Sequence, residues 1–398
     1  MVQMPVAQSV LTDELLICCH DRSTRVDRLG AGMADDIDDL RQTGFLQLPL
    51  PVEFGGTGLA LSQVALELQR LAYYAAHTAD AVAMHLASIG VAADLWRAGD
   101  RSLQWLLEDA ARGLVFTAAH SEPGNDTALL TPMMRAERVD GGYRFTGHKL
   151  TGASGSDWSY LSLHALQGAE YAPGTTSTPH IVHAFLPRNT EGYVVRGARE
   201  SGMPAGTNVP ADVLLDGAFV PDRFVARTIP ITTAATDAFS LALLAWHLLL
   251  QAHVAGARAR RAFDLTVDAL HRTVSVRQAQ PMAHDPVVQH HVARMGLVLE
   301  GLDPHLESLS RQWSRGPRHG ALWPIKLLAA RQHAMDGARD ILDLALELIG
   351  GPAVTRRSEL DALSHGVRLA RLQPVSPAAT LSLIGRGVLG LPMLGTSD

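Results

Sequence analysis

The chain has 398 residues, 47% of them hydrophobic and 19% charged, so it is long enough and apolar enough to bury one large core or several smaller ones. Lys and Arg number 34 against 40 Asp and Glu, a formal charge of −6. This disfavours an affinity built on neutralising phosphates, and with it nucleic acid or an anionic membrane as partner. The two cysteines, Cys18 and Cys19, are adjacent; they cannot frame a disulfide scaffold, no CxxC spacing exists, and a reducing cytoplasm fits.

In chain order, the first nineteen residues place no Lys or Arg ahead of the Leu15-Leu16-Ile17 run, so no export signal is expected. Up to about residue 115 the periodicity is helical, with Leu61, Val64, Ala65, Leu68, Leu71 and Ala72 recurring at three and four as one buried stripe requires. The Gly55–Gly58 cluster reads as a tight turn; a phosphate cradle would need a preceding strand and a GK[ST]. From Phe116 short runs bounded by Gly, Pro and Asn predict strands. Ala136–Val139 and Tyr143–Thr146 flank Asp140-Gly141-Gly142 as a hairpin, because such turns need positive backbone angles. Further strands are expected at Ile181–Leu186, Tyr193–Val195 and Val213–Leu215, and Pro221–Pro230 reads as a linker. Ala238–Ala257 carries no Asp, Glu, Lys or Arg and is about as long as a membrane span. Ser240, His247, Gln251 and His253 inside it, and its continuation through Arg258, Arg260 and Arg261, point instead to a buried helix of a soluble bundle. Ile325, Leu328, Gln332, Met335, Ala338, Leu342, Ala345 and Ile349 mark one face of another long helix. The order is helices, a small β domain, then a helical bundle.

That order, with several short motifs, resembles the acyl-CoA dehydrogenase superfamily from about residue 35 to 390. The motifs are Gly44-Phe45 through Pro51-Val52-Glu53-Phe54-Gly55-Gly56-Thr57-Gly58, Ser121-Glu122-Pro123-Gly124, Gly141-Gly142-Tyr143 through Gly147-His148-Lys149, Gly202-Met203, Val220-Pro221, and Glu347-Leu348-Ile349-Gly350-Gly351. The resemblance implies an α+β, mostly helical fold. It would comprise an N-terminal helical domain over residues 1–115, a middle β-barrel domain over 116–228 and a C-terminal four-helix bundle over 229–398. It also implies a flavin, FAD or FMN. By this resemblance His120 and Ser121 would meet the pyrimidine edge of the flavin, where hydrogen-bond donors stabilise charge on the reduced ring. Thr151 and Ala153 would follow as further contacts, with Ser154 as a substitute hydroxyl. Gly350 and Gly351 would approach the cofactor of a neighbouring subunit, which implies a homodimer or homotetramer, and Arg272 would be the cation nearest the partner's pyrophosphate.

Two departures shape the expected chemistry. No Phe-Gly accompanies Arg272 and Arg277, as the family's pyrophosphate grip would require. Gln373 or Pro374 stands where the dehydrogenases carry a glutamate base, and Leu244-Ala245 occupies the alternative base position; none of these removes a proton. The Arg368–Pro374 stretch is similar to the superfamily's oxygenase branch, closest in pattern to its flavin-dependent monooxygenases and N-oxygenases. Members of that branch take reduced flavin from a separate reductase and oxygenate specialised small molecules. On this reading His85 and Gln373 are the candidate catalytic residues. Two alternatives remain: an acyl-CoA or carrier-linked acyl thioester dehydrogenase with a displaced base such as Glu359 or Asp361, and a non-redox catalyst or binding scaffold of the same fold with lost or weakened flavin binding. No metal is expected, since the densest histidine group, His284, Asp285, His290 and His291, lacks the spacing of any known ligand set.

Overall fold

The computed structural model describes residues 9–24, 31–151, 158–168, 178–196, 211–276, 278–316, 319–351 and 358–393. Five helices come first: α1 (Asp13–Thr24), α2 (Ala31–Gln42), α3 (Leu61–Tyr74), α4 (Ala76–Arg97) and α5 (Gln104–Ala111). The six-residue stripe of α3 is buried throughout. α4 is buried almost all round, as a helix covered on several sides must be.

Eight strands then form one sheet: β1 (Phe116–Ala118), β2 (Arg135–Val139), β3 (Gly142–Leu150), β4 (Tyr160–Gln167), β5 (His180–Pro187), β6 (Tyr193–Arg196), β7 (Asp212–Pro221) and β8 (Val225–Pro230). Their order is β6-β7-β3-β2-β4-β5-β8, with β1 parallel to β4 off this path. Among the described residues β6 and β8 do not pair with each other. The β2–β3 hairpin turns where expected, with Gly141 at φ 76°. A Cβ on Gly142 would lie 2.2 Å from the Val220 carbonyl oxygen, so a side chain there would break the β3–β7 pairing. The expected linker is corrected: Val225–Pro230 is a strand, antiparallel to β5. Its prolines punctuate only its ends, while Ala226 and Ile229 turn into the core.

The remaining helices are α6 (Ala238–Arg272), α7 (Pro286–Ser314), α8 (Trp323–Ile349), α9 (Glu359–Leu372) and α10 (Pro377–Val388). Asp237 caps α6 by accepting from the N–H groups of Phe239 and Ser240 at 2.9 and 3.1 Å, satisfying two of the orphan donors of a helix start. α6 is long and apolar enough to cross a membrane by length and composition, yet 72% of its most apolar window is buried in protein. It packs on α8, α4 and α3. The crossing with α4 is closest at Gly90, where a Cβ would stand 2.3 Å from the Trp246 ring. Trp246 Nε1 and Trp313 Nε1 both donate to Asp94 Oδ2, at 2.8 and 3.0 Å. There are two cores, a large one built by the helices together with one face of the sheet, including Phe116, Ile181, Phe185 and Ile229, and a smaller one inside the sheet. The functional cavity opens where they meet.

Candidate functional site

Strand β1 brings the chain inward and ends at Ala118; Ala119 N–H still donates to Ser162 O at 2.8 Å, so His120 and Ser121 emerge at the sheet's end. Ser121 O accepts from Leu150 N–H at 2.8 Å, and buried Thr151 donates its own N–H to Ala211 O at 2.9 Å. The turn after them is held from beneath by Glu122. Its carboxylate accepts from the N–H of Met133 at 2.7 Å, of Met134 at 3.0 Å and from Asn125 Nδ2 at 2.8 Å, and Oε1 lies 2.7 Å from Lys149 Nζ. Burial drives the Lys149 ammonium down to about 8 even against the pull of Glu122. Burial alone would raise the Glu122 carboxyl, but Lys149 and the hydrogen bonds hold it below its ordinary range. This ion pair is structural: it fixes the turn on which His120 and Ser121 sit.

Facing that turn is a cavity of about 110 Å³. Asp80, Ala83 and Met84 come from α4, His247, Gln251 and Val254 from α6, Gly366, Leu369 and Ala370 from α9, and Gln373 and Pro374 follow α9; Ala118, His120, Ser121 and Leu150 close the sheet side. The walls are mostly apolar, with a few convergent polar groups, as small-molecule sites are. The His120 and His247 rings lie 5.5 Å apart at a 35° tilt. His120 also stands edge-on to His164 at 5.0 Å, and His164 stacks on His183 at 5.3 Å. Burial holds all four neutral: His247 and His183 fall to about 3, and His120 and His164 well below the ordinary imidazole value. His120 Nε2 meets Ser162 Oγ at 3.1 Å and His164 Nε2 donates to Ala128 O at 2.6 Å. The Nδ1 atoms of His120 and His247, on two side chains that line the cavity, are buried and have no partner among the described residues. Despite the clustering, no group of three or more His, Cys, Asp or Glu among the described residues is placed to hold a metal ion.

Among the described residues the cavity wall carries one carboxylate, Asp80, and Arg258 takes both of its oxygens. Glu359, expected as a displaced base, is instead gripped by Arg261 at 2.7 and 3.0 Å beside a different cavity, with Arg258 and His77. Asp361 sits in the first turn of α9, its N–H bonded to the Ser358 cap at 3.2 Å, and does not line the His120 cavity.

His120, Ser121 and Gln373 are thus brought together, with Thr151 adjoining through Leu150. His85 does not line this cavity. Its Nδ1 accepts from Phe116 N–H at 3.2 Å and its Nε2 donates to Leu46 O at 3.1 Å, so both nitrogens are spent pinning α4 to β1 and to the loop at Leu46. Its neighbour Met84 faces the cavity instead. Arg272 is exposed at the C-terminal end of α6. Gly350 ends α8 at φ 75°, with nothing within 4 Å of where a Cβ would stand, and Gly351 is exposed. Ala153 and Ser154 lie outside the described residues. The sequence reading missed His247 and Gln251 as residues lining the cavity. Its one signal was their polarity: His247 and Gln251 sit four apart in a helix stretch without charge, on one face.

The chain is similar to known proteins in both sequence and fold. Residues 240–374 match the acyl-CoA dehydrogenase C-terminal domain family. Benzylmalonyl-CoA dehydrogenase of Aromatoleum aromaticum is 30% identical over 186 residues, 46% of each chain. Isobutylamine N-hydroxylase of Streptomyces viridifaciens is 24% identical over 85% of both chains. The FMN-bound dibenzothiophene monooxygenase of Paenibacillus sp. A11-2 superposes with a TM-score of 0.77 at 19% identity, over 96% of this chain and 97% of the other. The chain therefore has the acyl-CoA dehydrogenase fold, and its residues 240–374 match the C-terminal domain of that family.

Proposed function

We propose that this protein is a flavin-dependent oxygenase that hydroxylates nitrogen or carbon of a specialised small molecule. The observation that carries the reading is the cavity wall: imidazoles and amides face inward, and the lone carboxylate is engaged by Arg258. Abstraction of an α-proton needs a free base within reach, and oxygenation does not. Resemblance to an amine N-hydroxylase along 85% of the chain supports the same side.

The lining suits one edge of a flavin, whether FAD or FMN: His120, Ser121 and the apolar walls beside them would meet the polar edge of a heteroaromatic ring. When bound and reduced, such a ring supplies two electrons to O2, so that one oxygen atom enters the substrate and the other leaves as water. His120 and Ser121 would hold its polar edge, with Thr151 behind them. Met84, Val254, Leu369 and Ala370 exclude water from the reacting region. The Gln373 amide would orient the substrate by donating a hydrogen bond, since it carries no titratable proton. Gly350 and Gly351, open at the end of α8, and Arg272 would serve a cofactor shared with a second copy, in a homodimer or homotetramer. A separate reductase would supply the reduced flavin, and the protein would work in the cytoplasm.

The test is direct. The purified protein is titrated with FAD and with FMN, then supplied with NADH, a flavin reductase and a panel of small amines and phenols. A bound-flavin spectrum and substrate-dependent oxygen uptake with an oxygenated product are expected. Absence of flavin binding, or anaerobic bleaching of bound flavin by an acyl thioester, would overturn the proposal.

A further inference from the structure

Arg331, in the middle of α8, is 1% exposed, and its hydrogen-bond partners among the described residues are all neutral oxygens. Nε donates to Gln251 Oε1 at 2.9 Å, and the terminal nitrogens donate to the carbonyls of Val375, Ala370 and Gln373 at 3.2, 2.7 and 2.5 Å. The guanidinium thereby ties the chain after α9 to the bundle and sets where the Gln373 segment enters the cavity.

The bond to Gln251 also has a chemical consequence. A guanidinium has donors only, so the Gln251 atom that faces it must be the amide oxygen. The NH2 group then points to His247, 3.2 Å from its Nε2. An NH2 group donates, so His247 Nε2 must be bare. In a neutral imidazole the proton then sits on Nδ1. That Nδ1 is buried and has no partner among the described residues, on a side chain lining the cavity.

We propose that Arg331, acting through Gln251, locks His247 in the Nδ1–H tautomer and makes it a fixed hydrogen-bond donor to an oxyanion of the cavity's ligand. Charge balance favours the anion. Lys149 is matched by Glu122 and Asp80 by Arg258, whereas the charge of Arg331 meets only dipoles and is left to act on the cavity. The inference deepens the reading above, since the acceptor belongs to the ligand of the same site: either a substrate carboxylate or the anionic edge of a reduced flavin. Gln251 and Arg331 are positioning residues in this scheme.

The tautomer can be read without flavin, which separates this proposal from the oxygenase one. Full-length protein carrying ¹⁵N-histidine is examined by long-range ¹H–¹⁵N correlation, with the His247 signals identified by their loss in His247→Asn. A protonated Nδ1 and a bare Nε2 are expected. Gln251→Glu places an acceptor against Nε2 and should move the proton there; Gln251→Met cuts the relay and should release the tautomer preference. Formate, as a carboxylate probe, should shift Nδ1–H saturably and bind about tenfold more weakly to Gln251→Met. A shift with formate assigns the acceptor to the substrate, and a shift on reducing bound FAD without formate assigns it to the cofactor. A proton on Nε2 in the unaltered protein, a tautomer indifferent to both substitutions, or a Nδ1 unmoved by formate and by reduced FAD would each overturn the proposal.

Discussion

Arg258 closes on Asp80 through both carboxylate oxygens, Nη2 meeting Oδ2 and Nη1 lying 3.3 Å from Oδ1. α6 thereby removes from play the carboxylate that α4 places in the cavity wall. Arg258 is 1% exposed and packs against Gly366, where a Cβ would stand 3.0 Å from the guanidinium. Asp80→Asn should therefore destabilise the protein by about 2–3 kcal/mol, the loss expected when a buried cation keeps no counter-charge. The value sits at the lower end because Asp80 is itself 27% exposed. Urea unfolding at neutral pH measures it, and an unchanged midpoint would show that Arg258 finds another partner.

Gly90 lets α4 and α6 approach until backbone meets the Trp246 ring. In an isolated helix Gly→Ala gains up to about 1 kcal/mol. Here the added methyl would meet the ring at 2.3 Å, and the ring cannot retreat without breaking its 2.8 Å bond to Asp94. Gly90→Ala should cost about 2 kcal/mol net, within the range for overpacked cores, and should shift tryptophan emission. A stabilised variant would mean that the helices separate freely.

His85 serves as a strut, so His85→Phe should lower stability by about 2–4 kcal/mol, leaving the Phe116 N–H and the Leu46 carbonyl buried without partners. Turnover per folded molecule, measured well below the melting temperature, should stay within a few-fold. Abolished turnover in a folded variant would return His85 to the reacting groups.

Six buried histidines make stability depend on pH. Burial holds His85 and His253 at about 4 and His183 and His247 at about 3, and it depresses His120 and His164 well below the ordinary imidazole value. Unfolded, each titrates near an ordinary value of about 6.5. Below that pH the unfolded chain binds protons that the folded chain refuses. The stabilisation is complete above about pH 6.5 and declines as pH falls toward the folded values, at up to about 1.4 kcal/mol per pH unit for each group. Urea midpoints should be flat from pH 8 to 7 and fall steeply by pH 5.5. A midpoint constant to pH 5 would contradict burial of neutral imidazoles.

What could be read from the chain alone was local and periodic. The α8 stripe from Leu328 to Ala345 is buried as its spacing required. The Asp140-Gly141-Gly142 turn formed because a positive φ is a property of the residues themselves. The absence of a base at Gln373 and Pro374 was likewise legible, because side-chain identity suffices to exclude one. Val225–Pro230 misled because its flanking prolines announce a break, whereas its pairing with β5 depends on a distant strand. A helix turns about 100° per residue, so of two neighbours Met84 meets the cavity while His85 meets backbone. The chain thus determined the order of helix, strand and helix. Only the crossing of α4, α6, α8 and α9 decided which polar groups face one another, because the partner of a buried Arg331, Gln251 or Asp80 is set by distances between segments that share no local pattern.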